Sequence, residues 1–122
     1  DDHVKWFKKV LADKKYLILV VEKAGDFIGQ VKFNIDNSSA TFSLSIDVSH
    51  RGKGIGSKII SESVEYLIHM KEGTRHIIAF IKKDNTASIR SFEKAGFFYM
   101  GMEDIDGISL SRYGMNIESG CV

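Results

Sequence analysis

The sequence predicts an α/β domain with a mixed, mostly antiparallel central sheet and helices packed on its faces, and three observations carry that expectation. Phe42, Leu44, Ile46 and Val48 alternate with Thr41, Ser43, Ser45 and Asp47, the period of a half-buried strand. Just beyond a glycine-rich turn, Ile55, Ile59, Ile60, Val64, Leu67 and Ile68 recur at helical spacing. Strand-like runs bounded by turn residues lie on both sides of this strand-helix junction, so hairpins at the ends and helical crossovers in the middle are expected to build one sheet.

The elements follow in order. Asp2 to Asp13 sets Val4, Phe7, Val10 and Leu11 at helical spacing with Lys5, Lys8 and Lys9 opposite, which predicts a short amphipathic helix. Tyr16 to Val21 is a continuous apolar run, too short for a helix, and predicts a central strand. The turn residues Glu22 to Asp26 join it in a hairpin to a second strand, in which Phe27, Gly29, Val31 and Phe33 alternate with Ile28, Gln30 and Lys32. The alternation from Thr41 to Val48 is the third strand. After the helix that opens near Ile55, Arg75 to Lys82 predicts a buried strand, and Asp84-Asn85 offers an N-cap to a helix carrying Ile89 and Phe92 that stops at Gly96. Phe97 to Met102 and Ile108 to Ile117, around Glu103 to Gly107, predict a closing hairpin. Its apolar Phe98, Tyr99 and Met102 are able to pair chains edge to edge, so a monomer or a homodimer is expected.

Composition narrows the function classes. A chain of 122 residues has room for one domain spanning 1–122, and no apolar run approaches the ~20 residues of a membrane span. Seventeen basic residues against sixteen acidic ones give a charge of +1, so no whole-molecule field draws nucleic acid or an anionic membrane. Cys121 is the single cysteine, which excludes an internal disulfide framework and fits a reducing, cytoplasmic setting. His3, His50, His69 and His76 lack the spacing of a metal site, and no metal is expected. The opening Asp1-Asp2-His3 has neither an initiator methionine nor a signal-peptide pattern, so a piece of a longer chain is expected.

The chemistry is concentrated between the third strand and the helix after it. Arg51-Gly52-Lys53-Gly54-Ile55-Gly56 places three glycines at a strand-to-helix turn, where bare N–H groups and the positive end of the helix suit a phosphate. A nucleoside-triphosphatase loop would need Gly-Lys-Ser/Thr after a glycine and four residues, and counting from Gly52 the fifth position on is Ser57. A dinucleotide-binding loop would need a third glycine where Ser57 stands.

The stretch resembles instead the acyl-CoA loop of the GNAT family of N-acetyltransferases: Arg or Gln, two residues, Gly, one residue, then Gly or Ala. Asn85-Thr86-Ala87-Ser88-Ile89-Arg90-Ser91-Phe92-Glu93-Lys94-Ala95-Gly96-Phe97 is similar to that family's second element, in the expected order and spacing. The resemblance covers essentially the whole chain. It implies acetyl-CoA as cosubstrate, with the backbone at Ile46 and Val48 pairing with the pantetheine arm where the sheet splays. It implies that N–H groups from Arg51 to Ser57, Lys53 and Ile55 among them, hold the pyrophosphate, and that Asn85, Ser88 and Phe92 lie beside the cofactor. Many members carry a Tyr where this chain has Phe92, and Phe92 cannot protonate a thiolate. The family fold implies a further strand and helix ahead of Asp2, so a piece without them, cut from a longer chain, is expected.

Acetylation requires a neutral amine. For an amine with pKa about 10.4, only about one molecule in a thousand is neutral at pH 7, a cost of roughly 4–5 kcal/mol. Asp47 is the first candidate base and Ser45 the second catalytic candidate, with His50 and Glu22 behind them, and an N–H near Ile46 to Val48 is the expected oxyanion donor. An amine on a sugar ring, of lower pKa, needs less help. The opening His3-x-x-Trp6-Phe7, Gly29-Gln30-Val31-Lys32-Phe33 and Lys82-Lys83-Asp84-Asn85 are most similar to the branch of the family that acetylates nucleotide-linked amino sugars. A protein N-terminal amine and a non-catalytic acyl-CoA-binding module are the alternatives.

Overall fold

The computed structural model describes residues 7–52 and 54–117. Seven strands and two α-helices occur among them: β1 (Phe7–Ala12), β2 (Tyr16–Lys23), β3 (Asp26–Asp36), β4 (Ser39–Ile46), α1 (Gly56–Met70), β5 (His76–Lys82), α2 (Thr86–Lys94), β6 (Phe98–Ile105) and β7 (Ile108–Asn116). They form one sheet in the order β1-β2-β3-β4-β5-β7-β6. Among the described residues β4–β5 is the one parallel pairing, and the sheet is mixed and mostly antiparallel as expected. Two-residue turns at Ala24-Gly25 and Asp106-Gly107, positive in φ at both positions, close the β2–β3 and β6–β7 hairpins with the twist that flanking strands require.

Two expectations fail for the same physical reason. Phe7–Ala12 is a strand rather than part of a helix, paired antiparallel with β2, while residues 2–6 of the expected helix lie outside the described residues. Lys9 pairs with Leu19 and Leu11 with Ile18, so Val10 is an extra residue in the ladder. That bulge breaks the period of two and leaves Phe7, Val10 and Leu11 at intervals that imitate a helix. In β3, Val21 pairs with Gly29 and Glu22 with Phe27, which makes Ile28 the extra residue. The alternation reverses there, burying Ile28 and leaving Phe27 49% exposed.

Both helices pack on one face rather than on two. The crossovers β4-α1-β5 and β5-α2-β6 step in the same direction along the sheet, and right-handed connections then place both helices on the same side. There α1 buries Ile59, Ile60, Ser63, Val64 and Leu67 against Leu17, Leu19, Val31 and Phe33 of the sheet core. The opposite face presents Gln30, Lys32, Asn34 and Ser43 to solvent. The run Tyr16–Val21 is second from the sheet edge and buries one face, Leu17, Leu19 and Val21. Phe98, Tyr99 and Met102 are exposed on β6, the strand at the other edge.

A chain of edge-to-face aromatic contacts ties the layers together: Phe33 to Phe42 at 4.8 Å, Phe42 to Phe92 at 5.3 Å and Phe92 to Phe97 at 5.0 Å between centroids. Phe42 is also where β4 and β5 part. Their pairing runs from Ser39↔His76 to Phe42↔Ala79 and stops, although both strands continue.

Candidate active site

Beyond Phe42 the two parallel strands diverge, and the wedge between them opens into a cleft of about 500 Å³. It is lined by Leu44, Ser45 and Ile46 of β4, by Arg51, Gly52, Gly54, Ile55 and Gly56 of the loop and α1, and by Asn85, Ala87, Ser88, Arg90 and Ser91 of the α2 N-terminal region. Among the described residues no carboxylate is in this lining.

The β4 wall offers backbone. Asp47 N–H donates to Ile28 C=O at 2.7 Å, so the neighbouring Gly29↔Ile46 pair directs the N–H and C=O of Ile46 away from β3, toward the cleft. Leu44, two residues back, is oriented alike. Arg51 occupies one of these groups, its Nε–H donating to Ile46 C=O at 2.9 Å.

The loop wall offers donors. Gly52 and Gly54 sit at φ 76° and 74°, a region that strains any residue with a Cβ. Ile55 at the N-cap of α1 supplies no side-chain hydrogen bond, and the first intrahelical bond is Ile59 N–H to Ile55 C=O at 3.0 Å. The N–H groups of Gly56 and Ser57 therefore have no intrahelical acceptor. A Cβ on Gly56 would lie 2.7 Å from Ser91 Oγ, so glycine is what lets α2 approach the end of α1 this closely.

The α2 wall offers side chains. Asn85 Oδ1 accepts the Ser88 N–H at 3.2 Å, capping the helix that the sequence predicts there. Gly96, at φ 103°, follows its last turn.

Nine of the residues singled out from the sequence line this one cleft: Ser45, Ile46, Arg51, Gly52, Gly54, Ile55, Gly56, Asn85 and Ser88. Ser57 follows in the first turn of α1, and Lys53 lies outside the described residues. β4 ends at Ile46, so Val48 belongs to a 3-10 turn (Val48–His50) and not to the strand. Phe92 is only 3% exposed and packs between Phe42 and Phe97 beneath the cleft rather than in its lining.

Asp47 is likewise outside the lining. Its carboxylate accepts hydrogen bonds from the Ser49 hydroxyl and, at 3.3 Å, from the Ser49 N–H, which hold it below the ordinary carboxylate range, with His50 and Arg51 adding positive charge. A carboxylate so held is a weak base, and its geometry is that of a turn cap. The Asp47 N–H, within the stretch expected to hold an oxyanion donor, is committed to Ile28. Leu44, Ala87, Arg90 and Ser91 are lining residues that the sequence reading missed; the small Ala87 and Ser91, four apart on one helix face, are the signal that would have found the α2 wall.

Comparison with known proteins places this geometry. A profile of the Acetyltransferase (GNAT) domain matches residues 1–98. The Bacillus subtilis (strain 168) protein YwnH, which carries a provisional phosphinothricin acetyltransferase name, is 28% identical over 96% of this chain and 74% of its own length. The spermidine N-acetyltransferase of Vibrio cholerae, solved with CoA and spermine, shares the fold at TM-score 0.75 and 24% identity, over 85% of this chain and 67% of that one. A mutant of that enzyme is spanned over 66% of its length. The aminoglycoside acetyltransferase AAC(6')-Ib, solved with coenzyme A, matches at TM-score 0.75 and 21% identity, over 88% of this chain and 69% of that one. About a third of each of these solved chains has no counterpart here. With a glycine loop at a splayed parallel strand pair and a domain match over most of its length, the chain belongs to the GNAT family of acetyltransferases.

Proposed function

We propose that this chain moves an acetyl group from acetyl-CoA to the primary amine of a small molecule, an amino sugar linked to a nucleotide. The observation that carries the reading is the cleft itself: a strand edge left unpaired, a helix end without a side-chain cap and, among the described residues, a lining free of carboxylates, all on one cavity. Acetyl-CoA would supply the acetyl group as an activated thioester. The chain supplies position. The N–H and C=O of Leu44 and the N–H of Ile46, whose C=O accepts from Arg51, suit the amides of pantetheine, which would lie along the strand edge as a further strand would. The N–H groups of Gly56 and Ser57 and the guanidinium of Arg51 suit the diphosphate.

In the transfer the amine nitrogen bonds to the thioester carbon, the C–S bond breaks, and the proton lost by nitrogen ends on sulfur. With Asp47 held as a turn cap and the Ser91 hydroxyl donating to Ala87 C=O at 3.1 Å, the hydroxyls of Ser45 and Ser88, beside Asn85, are suited to relay it. An acceptor whose amine is neutral near pH 7 suits a site without a strong base. The sugar acceptor rests on the sequence pattern described above.

Thiol release tests the reading, with acetyl-CoA and four acceptors: a nucleotide-linked amino sugar, kanamycin, spermidine and a peptide with a free N-terminus. Release with the nucleotide-linked amino sugar is expected. Release confined to spermidine or the peptide rejects the acceptor and keeps the transferase. A second reading, an acyl-CoA-binding module without turnover, is favoured by Phe92 in the core and by the absence of a carboxylate from the cleft. Binding with no release on any acceptor is its signature.

A further inference from the structure

The cleft contains one cation that the loop does not account for. Arg90 lines it from α2 and is exposed, and among the described residues its guanidinium has no hydrogen-bond or ion-pair partner. Arg51, on the opposite wall, already has its Nε–H on Ile46.

The position of Arg90 follows from helix geometry. At about 100° per residue, the cleft-lining residues of α2 fan out in the order Ser88, Ser91, Ala87, Arg90 over roughly 160° of its surface. The buried Phe92 lies on the Ser88 flank, so Ser88 is innermost and Arg90 is at the solvent rim. Between them Ser91 abuts Gly56, where the free donors of α1 begin. A CoA thioester has the same order along its length: the acyl-pantetheine arm, the diphosphate, and then a ribose carrying a 3′-phosphate monoester.

Resting on the reading of the cleft as a CoA site, we propose that Arg90 recognises the ribose 3′-phosphate and makes the site selective for CoA over 3′-dephospho-CoA. A phosphate monoester carries about −1.5 to −2 charge at neutral pH, and a guanidinium meets it with two parallel N–H donors. The absence of acidic residues from the lining leaves Arg90 free of a competitor there.

Calorimetric titration of the wild type and of Arg90→Gln with CoA and with 3′-dephospho-CoA tests this. The wild type is expected to prefer CoA by roughly tenfold. In Arg90→Gln that preference collapses, with the CoA affinity falling and the 3′-dephospho-CoA affinity unchanged. Equal weakening of both ligands by the substitution would place Arg90 on the diphosphate and overturn the assignment, as would a wild type that binds both ligands alike. Binding of neither ligand to the wild type overturns the cofactor reading and this assignment with it, whereas binding without selectivity overturns the assignment alone. Glutamine keeps the helix propensity of an exposed position, and a melting curve checks that the variant is folded.

Discussion

Two helices begin at the same cleft and end their backbones differently. The start of α2 is closed by its own sequence, with Asn85 accepting the Ser88 N–H, while α1 starts at Ile55 with no side-chain acceptor and no acidic residue in its first turn. One N-terminus is completed by a side chain and the other is not. On the proposed reading the difference divides the tasks between the walls: α1 would hold an anion with backbone, and α2, its first turn capped, would contribute Asn85, Ser88 and Arg90 as side chains.

The largest expected effect comes from filling the open end. Gly56→Trp drives an indole against Ser91 and into the loop, and acetyl-CoA binding should fall below detection in a calorimetric titration. Next, Ser57→Asp adds a carboxylate to the first turn of α1. A negative charge there favours the helix by about 0.5 kcal/mol and repels a phosphate, so the melting temperature should hold or rise while acetyl-CoA affinity drops by about tenfold. The opposite signs are the test, since a merely structural turn would show the first effect without the second.

Breaking the closed end has a different outcome. Asn85→Ala removes the α2 cap and should cost about 1 kcal/mol of stability, read by thermal melting, with a smaller loss of acetyl-CoA affinity than Gly56→Trp. The smallest effect belongs to Asp47. Its pKa is lowered in the folded chain, so its contribution to stability is complete above the ordinary carboxylate pKa and is lost as pH falls through the lowered value. Asp47→Asn should therefore melt slightly below the wild type at pH 7, with the gap closing below about pH 4. The pH dependence of turnover between 6 and 9 should be unchanged, following the acceptor amine; a shifted profile would restore Asp47 as the base.

Much of this was legible in the sequence, for physical reasons that vary by element. The glycine loop, α1 and α2 carry local signals: positive-φ glycines, an apolar stripe of period 3.6, an Asn cap and a terminal glycine, each satisfied by nearby residues. What was hidden depends on partners. The bulges at Val10 and Ile28 exist only in a ladder, so Phe7–Ala12 imitated a helix and Phe27 imitated a core residue. Nothing along β4 or β5 announces that their pairing ends at Phe42 and Ala79, yet that divergence creates the cleft. Arg90 and Ser91 were overlooked because a charged and a small residue on an exposed helix look like surface until α1 is packed beside them.

The account's central claim is that the open N-terminus of α1, at the splayed strands, holds the cosubstrate, and calorimetric titration of acetyl-CoA into the wild type and Gly56→Trp tests it most directly. The prediction is one binding site with micromolar affinity in the wild type and no detectable heat in a folded Gly56→Trp. Equal binding by both, or none by the wild type, would contradict it.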